Sequence, residues 1–235
     1  MKKVVLSVAL VLILTAIGSM SFGQEKEKIS PKFTTGIISG YNSGFGVQAN
    51  IAVTDLAEMF PFKIQFGIGY TILQPGNAAD ARRIFINNAT NGVPEKKGRT
   101  FDYRLDFLLP MSIFKVKNSY LGFGPRYSSF KGNFKFIGGN EDFDVTTNQW
   151  GIGAGIENHF KMTEKLNLVL VFGLDYYFKN TLYGHDTSYS RDNNNINPRK
   201  DNQNENIPFT YKDADKAITQ PTFVPRALIG LSFNL

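Results

Sequence analysis

The chain has 235 residues, no cysteine and a formal charge of +6. That length suits one all-β domain; the missing cysteines exclude disulfides and a lipidated cysteine, and the mild positive excess is no sign of nucleic-acid binding. With 42% hydrophobic residues, 21 Phe, 10 Tyr and 22 Gly, the composition favours strands, and a mean hydropathy of −0.19 is compatible with membrane strands that are apolar only at alternate positions.

The first residues read as a targeting segment. Lys2 and Lys3 precede an uncharged apolar run over 4–17, too short to span as a helix, and Ser21 and Gly23 stand at −3 and −1 of a cut before Gln24. Residues 1–23 are therefore expected to be a cleavable signal peptide and 24–235 one barrel domain. Losing the two lysines takes the formal charge from +6 to +4.

Strand-like alternation begins at Phe33. Segments 33–41 and 45–53 flank Asn42-Ser43-Gly44 and read as a tight hairpin. In 62–73, Phe62, Ile64, Phe66, Ile68, Tyr70 and Ile72 share one parity, with Lys63, Gln65 and glycines on the other. A long link over 74–99 holds an Ala/Arg-rich piece compatible with a short helix. Segment 100–110 is the sharpest strand: Phe101, Tyr103, Leu105, Phe107 and Leu109 oppose Asp102, Arg104 and Asp106. Segment 120–130 follows, with Pro125 on its apolar side predicting a bulge or local irregularity. After a medium loop over 131–147 come 149–160, a short turn and 166–178. The longest polar stretch, 180–221, precedes the final strand 223–235.

Eight strands of about ten residues suit a tilted membrane crossing. With both termini on the periplasmic side, three of the four external links are long, as in outer-membrane barrels. The expected fold is an all-β, eight-stranded antiparallel up-and-down transmembrane β-barrel with long external loops. Parity then assigns Lys63, Asp102, Arg104, Asp106, Arg126, Glu157, Asp175 and Arg226, with His159, to the interior. Four cations match four anions, and buried charges must pair, so an ion-pair network plugging the lumen is expected.

Several short runs resemble the small outer-membrane β-barrel family of Bacteroidetes-type Gram-negative bacteria, the porin-superfamily barrel domain. They are F-G-I-G-Y at 66–70, Y-R-L-D-F-L-L-P at 103–110, Y-L-G-F-G-P at 120–125, G-I-G-A-G at 151–155 and the terminal L-I-G-L-S-F-N-L. The resemblance implies location and architecture rather than an activity.

Candidate chemistry is thin. His185, Asp186 and Ser188 lie together in the longest loop, but neighbours in one polar loop rarely form a working triad. The Asp/Asn clusters at 192–206 and 212–215 lack calcium-loop spacing. The mid-strand glycines at 151–155 precede no helix and are no phosphate cradle. Arg82-Arg83 and Lys96-Lys97 are candidates for lipopolysaccharide phosphates. No catalytic residue, cofactor or metal is expected. The expected partners are outer-membrane lipid and lipopolysaccharide, with an extracellular or envelope protein at the loops 74–99, 131–147 and 180–221. A narrow channel for small solutes is the alternative, and an outer-membrane enzyme the third.

Overall fold

The computed structural model describes residues 30–235 apart from 59, 88–91, 114–115 and 203–205. The signal-peptide reading of 1–23 lies outside the described residues. Eight strands form the wall: β1 (Lys32–Asn42), β2 (Phe45–Thr54), β3 (Lys63–Leu73), β4 (Val93–Ile113), β5 (Val116–Ile137), β6 (Asp142–Lys161), β7 (Leu166–Tyr177) and β8 (Phe223–Asn234). Each pairs antiparallel with its sequence neighbours, and β8 pairs with β1 through Ile37↔Leu231, so the sheet closes. The architecture is an eight-stranded up-and-down transmembrane β-barrel. Helices α1 (Ala78–Phe85) and α2 (Tyr211–Ala217) belong to the long links at one end.

The barrel is inside-out relative to a soluble domain. Phe66, Ile68, Phe101, Tyr103, Phe123, Ile152 and Phe172 stand exposed on the outer wall, while Lys63, Asp102, Arg104, Arg126 and Asp175 are buried. Only lipid makes such an outer face favourable. Tyr41, Phe45, Tyr70, Phe101, Tyr103, Trp150, Tyr176 and Phe223 are exposed around the wall at neighbouring register positions. Tyr127 joins them, packing edge-on against Trp150 with ring centroids 5.1 Å apart. This is the aromatic girdle that marks a membrane interface. Near the other end Phe107 and Phe123 pack together at 6.0 Å, each also meeting Phe62.

Residues 131–147 are not the expected loop. β4, β5 and β6 run 21, 22 and 20 residues, twice the expected length, and β5 turns into β6 over only four residues, 138–141. Above the girdle the faces exchange chemistry. Phe130, Phe134 and Phe136 continue the inward parity of Arg126 and Ser128 and are buried, while Lys131, Asn133 and Lys135 continue the outward parity of Tyr127. The wall thus leaves the membrane and becomes a normal sheet with an apolar inner and a polar outer face. The second half of the link 74–99 is likewise strand from Val93.

Pro125 produces a gap rather than a bulge. The β4–β5 ladder runs through Arg104↔Arg126 and resumes at Phe107↔Phe123 without a shift, and its register shift lies elsewhere, between Met111 and Ile113. Proline has no N–H to donate, so Leu105 O is left over. Arg126 Nη1 donates to it at 3.4 Å and to Pro125 O at 3.0 Å.

Candidate functional site: the filled lumen and its cap

The lumen chemistry is organised around one carboxylate. Asp175 on β7 accepts from Arg104 Nη2 at 2.7 and 2.8 Å and from Arg126 Nε at 2.9 Å, and Arg226 Nε stands 3.7 Å away. Asp106 accepts from Arg126 Nη2 at 2.5 Å and lies 3.9 Å from Arg104 Nε. Arg226 Nη2 completes its contacts on Gln48 Oε1 at 2.5 Å. Asp102 sits one layer nearer the cap, accepting from Thr100 at 3.2 Å and Asn42 at 3.4 Å. Three guanidiniums therefore face three carboxylates in a space closed to water, where an unpaired charge would cost several kcal/mol, in order of magnitude.

This packing needs a missing side chain. β6 contributes Gly151, Gly153 and Gly155 to the lumen beside Arg126 and Asp175. A Cβ on Gly153 would lie 2.0 Å from Asp175 Oδ1 and 2.6 Å from Arg126 Nε. The glycines read as lumen-facing in the sequence thus have a definite function: they are the space the arginine occupies.

Lys63 and Glu157 form a separate, lower layer. Glu157 Oε1 lies 2.6 Å from His159 Nε2, and Gln65 Nε2 donates to Glu157 Oε2 at 3.1 Å. Lys63 makes no ion pair within 4 Å among the described residues, its Nζ lying instead 5.3 Å from the Tyr120 ring centroid. Of the eight residues assigned to one network, five are thus directly joined, Asp102 borders them, and Lys63 and Glu157 lie apart. Gln48, Gln65 and Asn42 were missed because a charge-based reading passes over amides, yet their parity was visible. Between the layers Ile38, Val169, Val171 and Leu228 form a small apolar plug. The cavities left in the lumen are about 20 and 10 Å³, roughly one water each.

Over the lumen sits a folded cap. Helix α1 is started by Asn77, whose Oδ1 accepts from Ala79 N at 3.0 Å and Asp80 N at 3.2 Å. Its Ala81, Ile84 and Phe85 pack with Phe130, Phe134 and Phe143 of the extended wall and with Leu182, Tyr189, Ala214 and Ile218 of the long link. Tyr189 locks the pieces together: its hydroxyl donates to Ile84 O at 2.7 Å and accepts from Arg199 N at 3.0 Å. Gly76, at φ +131°, lets the chain approach Ala217 O, which a Cβ would meet at 2.1 Å.

The cap also absorbs most of the residues read as loop chemistry. Arg82 is buried, pairs with Glu141 and stacks 4.7 Å over the Phe136 ring, and Arg83 lies over Phe209 at 5.3 Å. The Arg82 hydrogen bond holds the Glu141 carboxyl below the usual range. Lys96 Nζ donates to Gly76 O at 2.8 Å. Of the four cations assigned to lipopolysaccharide, only Lys97 belongs to the outer wall with no ion pair among the described residues. Asp186 pairs with Arg199 at 2.7 Å, Ser188 is buried in a β-bridge to Ile196, and no hydrogen bond joins either to His185 among the described residues. No group of three or more His, Asp or Glu side chains among the described residues could hold a metal ion.

In fold the chain is similar to the major outer membrane protein of Thermus thermophilus, with a TM-score of 0.68 over 88% of this chain and 100% of that one, at 23% identity. The fold is that of an eight-stranded outer-membrane barrel. Neisserial surface protein A (NspA) aligns over 87% of this chain and 96% of its own at 10% identity and a TM-score of 0.36. No protein-family model and no curated protein matches the sequence.

Proposed function

We propose that this chain sits in a bacterial outer membrane as a closed, non-enzymatic barrel whose cap is its working surface, with a structural or binding role at the cell exterior. The observation that carries the reading is the filled lumen: ion-paired arginines and an apolar plug leave cavities of about 20 Å³ or less. A hydrated ion needs a continuous path, and a single-water cavity is not one. The alternative of a narrow solute channel finds no support in this packing. The short runs shared with the small barrels of Bacteroidetes-type bacteria favour the same location and architecture. An envelope or extracellular protein would meet the cap, whose outer surface is formed by 180–208 and the β5–β6 turn.

Conductance of the purified chain in a planar bilayer tests the closure. The expected result is no stable step; a stable large pore refutes the reading. Crosslinking on intact cells, read at cap residues, tests the binding role. Adducts confined to the barrel wall would count against it.

A further inference from the structure

The polar outer face of the β4–β5 wall begins where the aromatic girdle ends. On β4 the outward series climbs from Tyr103 and Phe101 to Arg99 and Lys97, and on β5 from Tyr127 to Lys131. Arg99 is paired directly opposite Lys131, and Arg99 is also opposite Ile72 at the end of β3. Like charges directly opposed on one sheet face repel. Lys131 is relieved by Asp144, 2.5 Å away, but Arg99 and Lys97 are exposed and have no ion pair among the described residues. One groove gathers Lys97, Arg99 and Lys131 above Tyr70 and Ile72. Its base is apolar at membrane level and its rim is cationic just above.

We propose that this groove binds a phosphorylated glycolipid of the outer leaflet, its phosphate received by Arg99 and Lys97 and its acyl chains lying on Ile72 and Tyr70. The proposal rests on the outer-membrane reading with the cap outside. Three features single out a lipid ligand. The cations stand on rigid strand rather than loop. They begin within two residues of the girdle, at headgroup depth. The next layer up is already neutralised, since Glu95 stands opposite Lys135 and Lys135 opposite Asp142. A guanidinium and an ammonium side by side suit a phosphate, the first as a bidentate donor and the second as a point charge.

The test is native mass spectrometry of the full chain in detergent, titrated with bisphosphorylated lipid A. Wild type should carry the lipid, and Lys97→Gln and Arg99→Gln should each weaken binding about 5-fold, and together about 30-fold. Dephosphorylated lipid A should bind wild type no better than the double variant. Lys161→Gln, at the opposite rim, should change nothing. Equal lipid A affinity in the double variant and wild type overturns the site. Competition by millimolar inorganic phosphate would make it a free-phosphate site and overturn the lipid assignment. Heat-modifiable gel mobility of the same samples keeps the readings apart: a chain that does not run as a barrel fails the membrane reading, whereas a barrel that does not bind fails only this proposal.

Discussion

Arg104 holds Asp175 through a single nitrogen, Nη2 standing 2.7 Å from Oδ1 and 2.8 Å from Oδ2. The same carboxylate also takes Arg126 Nε at 2.9 Å, with Arg226 Nε at 3.7 Å, so one anion on β7 answers cations from β4, β5 and β8. Each of these strands is separately hydrogen-bonded to its neighbours, but Asp175 is what ties all three across the lumen. Removing it leaves three guanidiniums facing one another. Asp175→Asn should destabilise the barrel by about 3–5 kcal/mol, the cost of stranding a buried charge. Asp106→Asn should cost less, because Arg126 keeps Asp175. Urea titration in detergent, followed by heat-modifiable mobility, reads both. Equal midpoints for the two variants would show that Asp175 has no special place.

The space beside that ion pair is as specific as the charges. Gly153→Ala places a methyl 2.0 Å from Asp175 Oδ1 and should cost about 1–3 kcal/mol by overpacking. Gly69→Ala is the control, since its Cβ would meet nothing nearer than 3.7 Å. The same urea titration should show a lower midpoint for the first and little change for the second. A tolerated Gly153→Ala would mean that Arg126 can turn away without loss.

The wall was legible and the cap was not, for one physical reason. A strand facing lipid on one side and a packed lumen on the other is read from its own parity, and Phe101, Tyr103, Asp102 and Arg104 display it within four residues. The same parity placed Arg226 and Asp175 on one face but could not say that Lys63 would lie over Tyr120 while Arg226 reached Gln48, since partners across the lumen depend on register and stagger. The strand extensions were missed because their chemistry reverses above the membrane. Phe134 and Phe143 stack at 5.4 Å on the inner face while Asn133 and Asp144 are polar outside, a pattern that in a membrane context reads as loop. The cap depends on contacts such as Tyr189 to Ile84, 105 residues apart. No local pattern announces them.

Those distant contacts make the cap a separately testable unit. Phe134 is fully buried in the cap core, above the girdle and away from the lumen arginines. Phe134→Ala should cost the cap about 3–5 kcal/mol while leaving the barrel wall folded. Limited proteolysis should then cut within 180–221 far faster than in wild type, with heat-modifiable mobility preserved. Loss of both together would show cap and barrel to be one cooperative structure.

The cap should also respond to acid through Glu141. Its carboxyl is held below the ordinary value, chiefly by the hydrogen bond from Arg82 and with a smaller share from that of Asn87. A carboxyl depressed in the folded state contributes stability above its unfolded value, about pH 4.3, and that contribution is lost as the pH falls through the folded value. Amide exchange in α1 should therefore quicken as the pH is lowered below about 4, after correction for the intrinsic rate. In Glu141→Gln the helix should exchange faster already at neutral pH and lose most of this acid dependence, because no charge remains to be titrated against Arg82. An undiminished acid response in Glu141→Gln would assign the effect to another carboxylate of the cap, such as Asp186 beside Arg199.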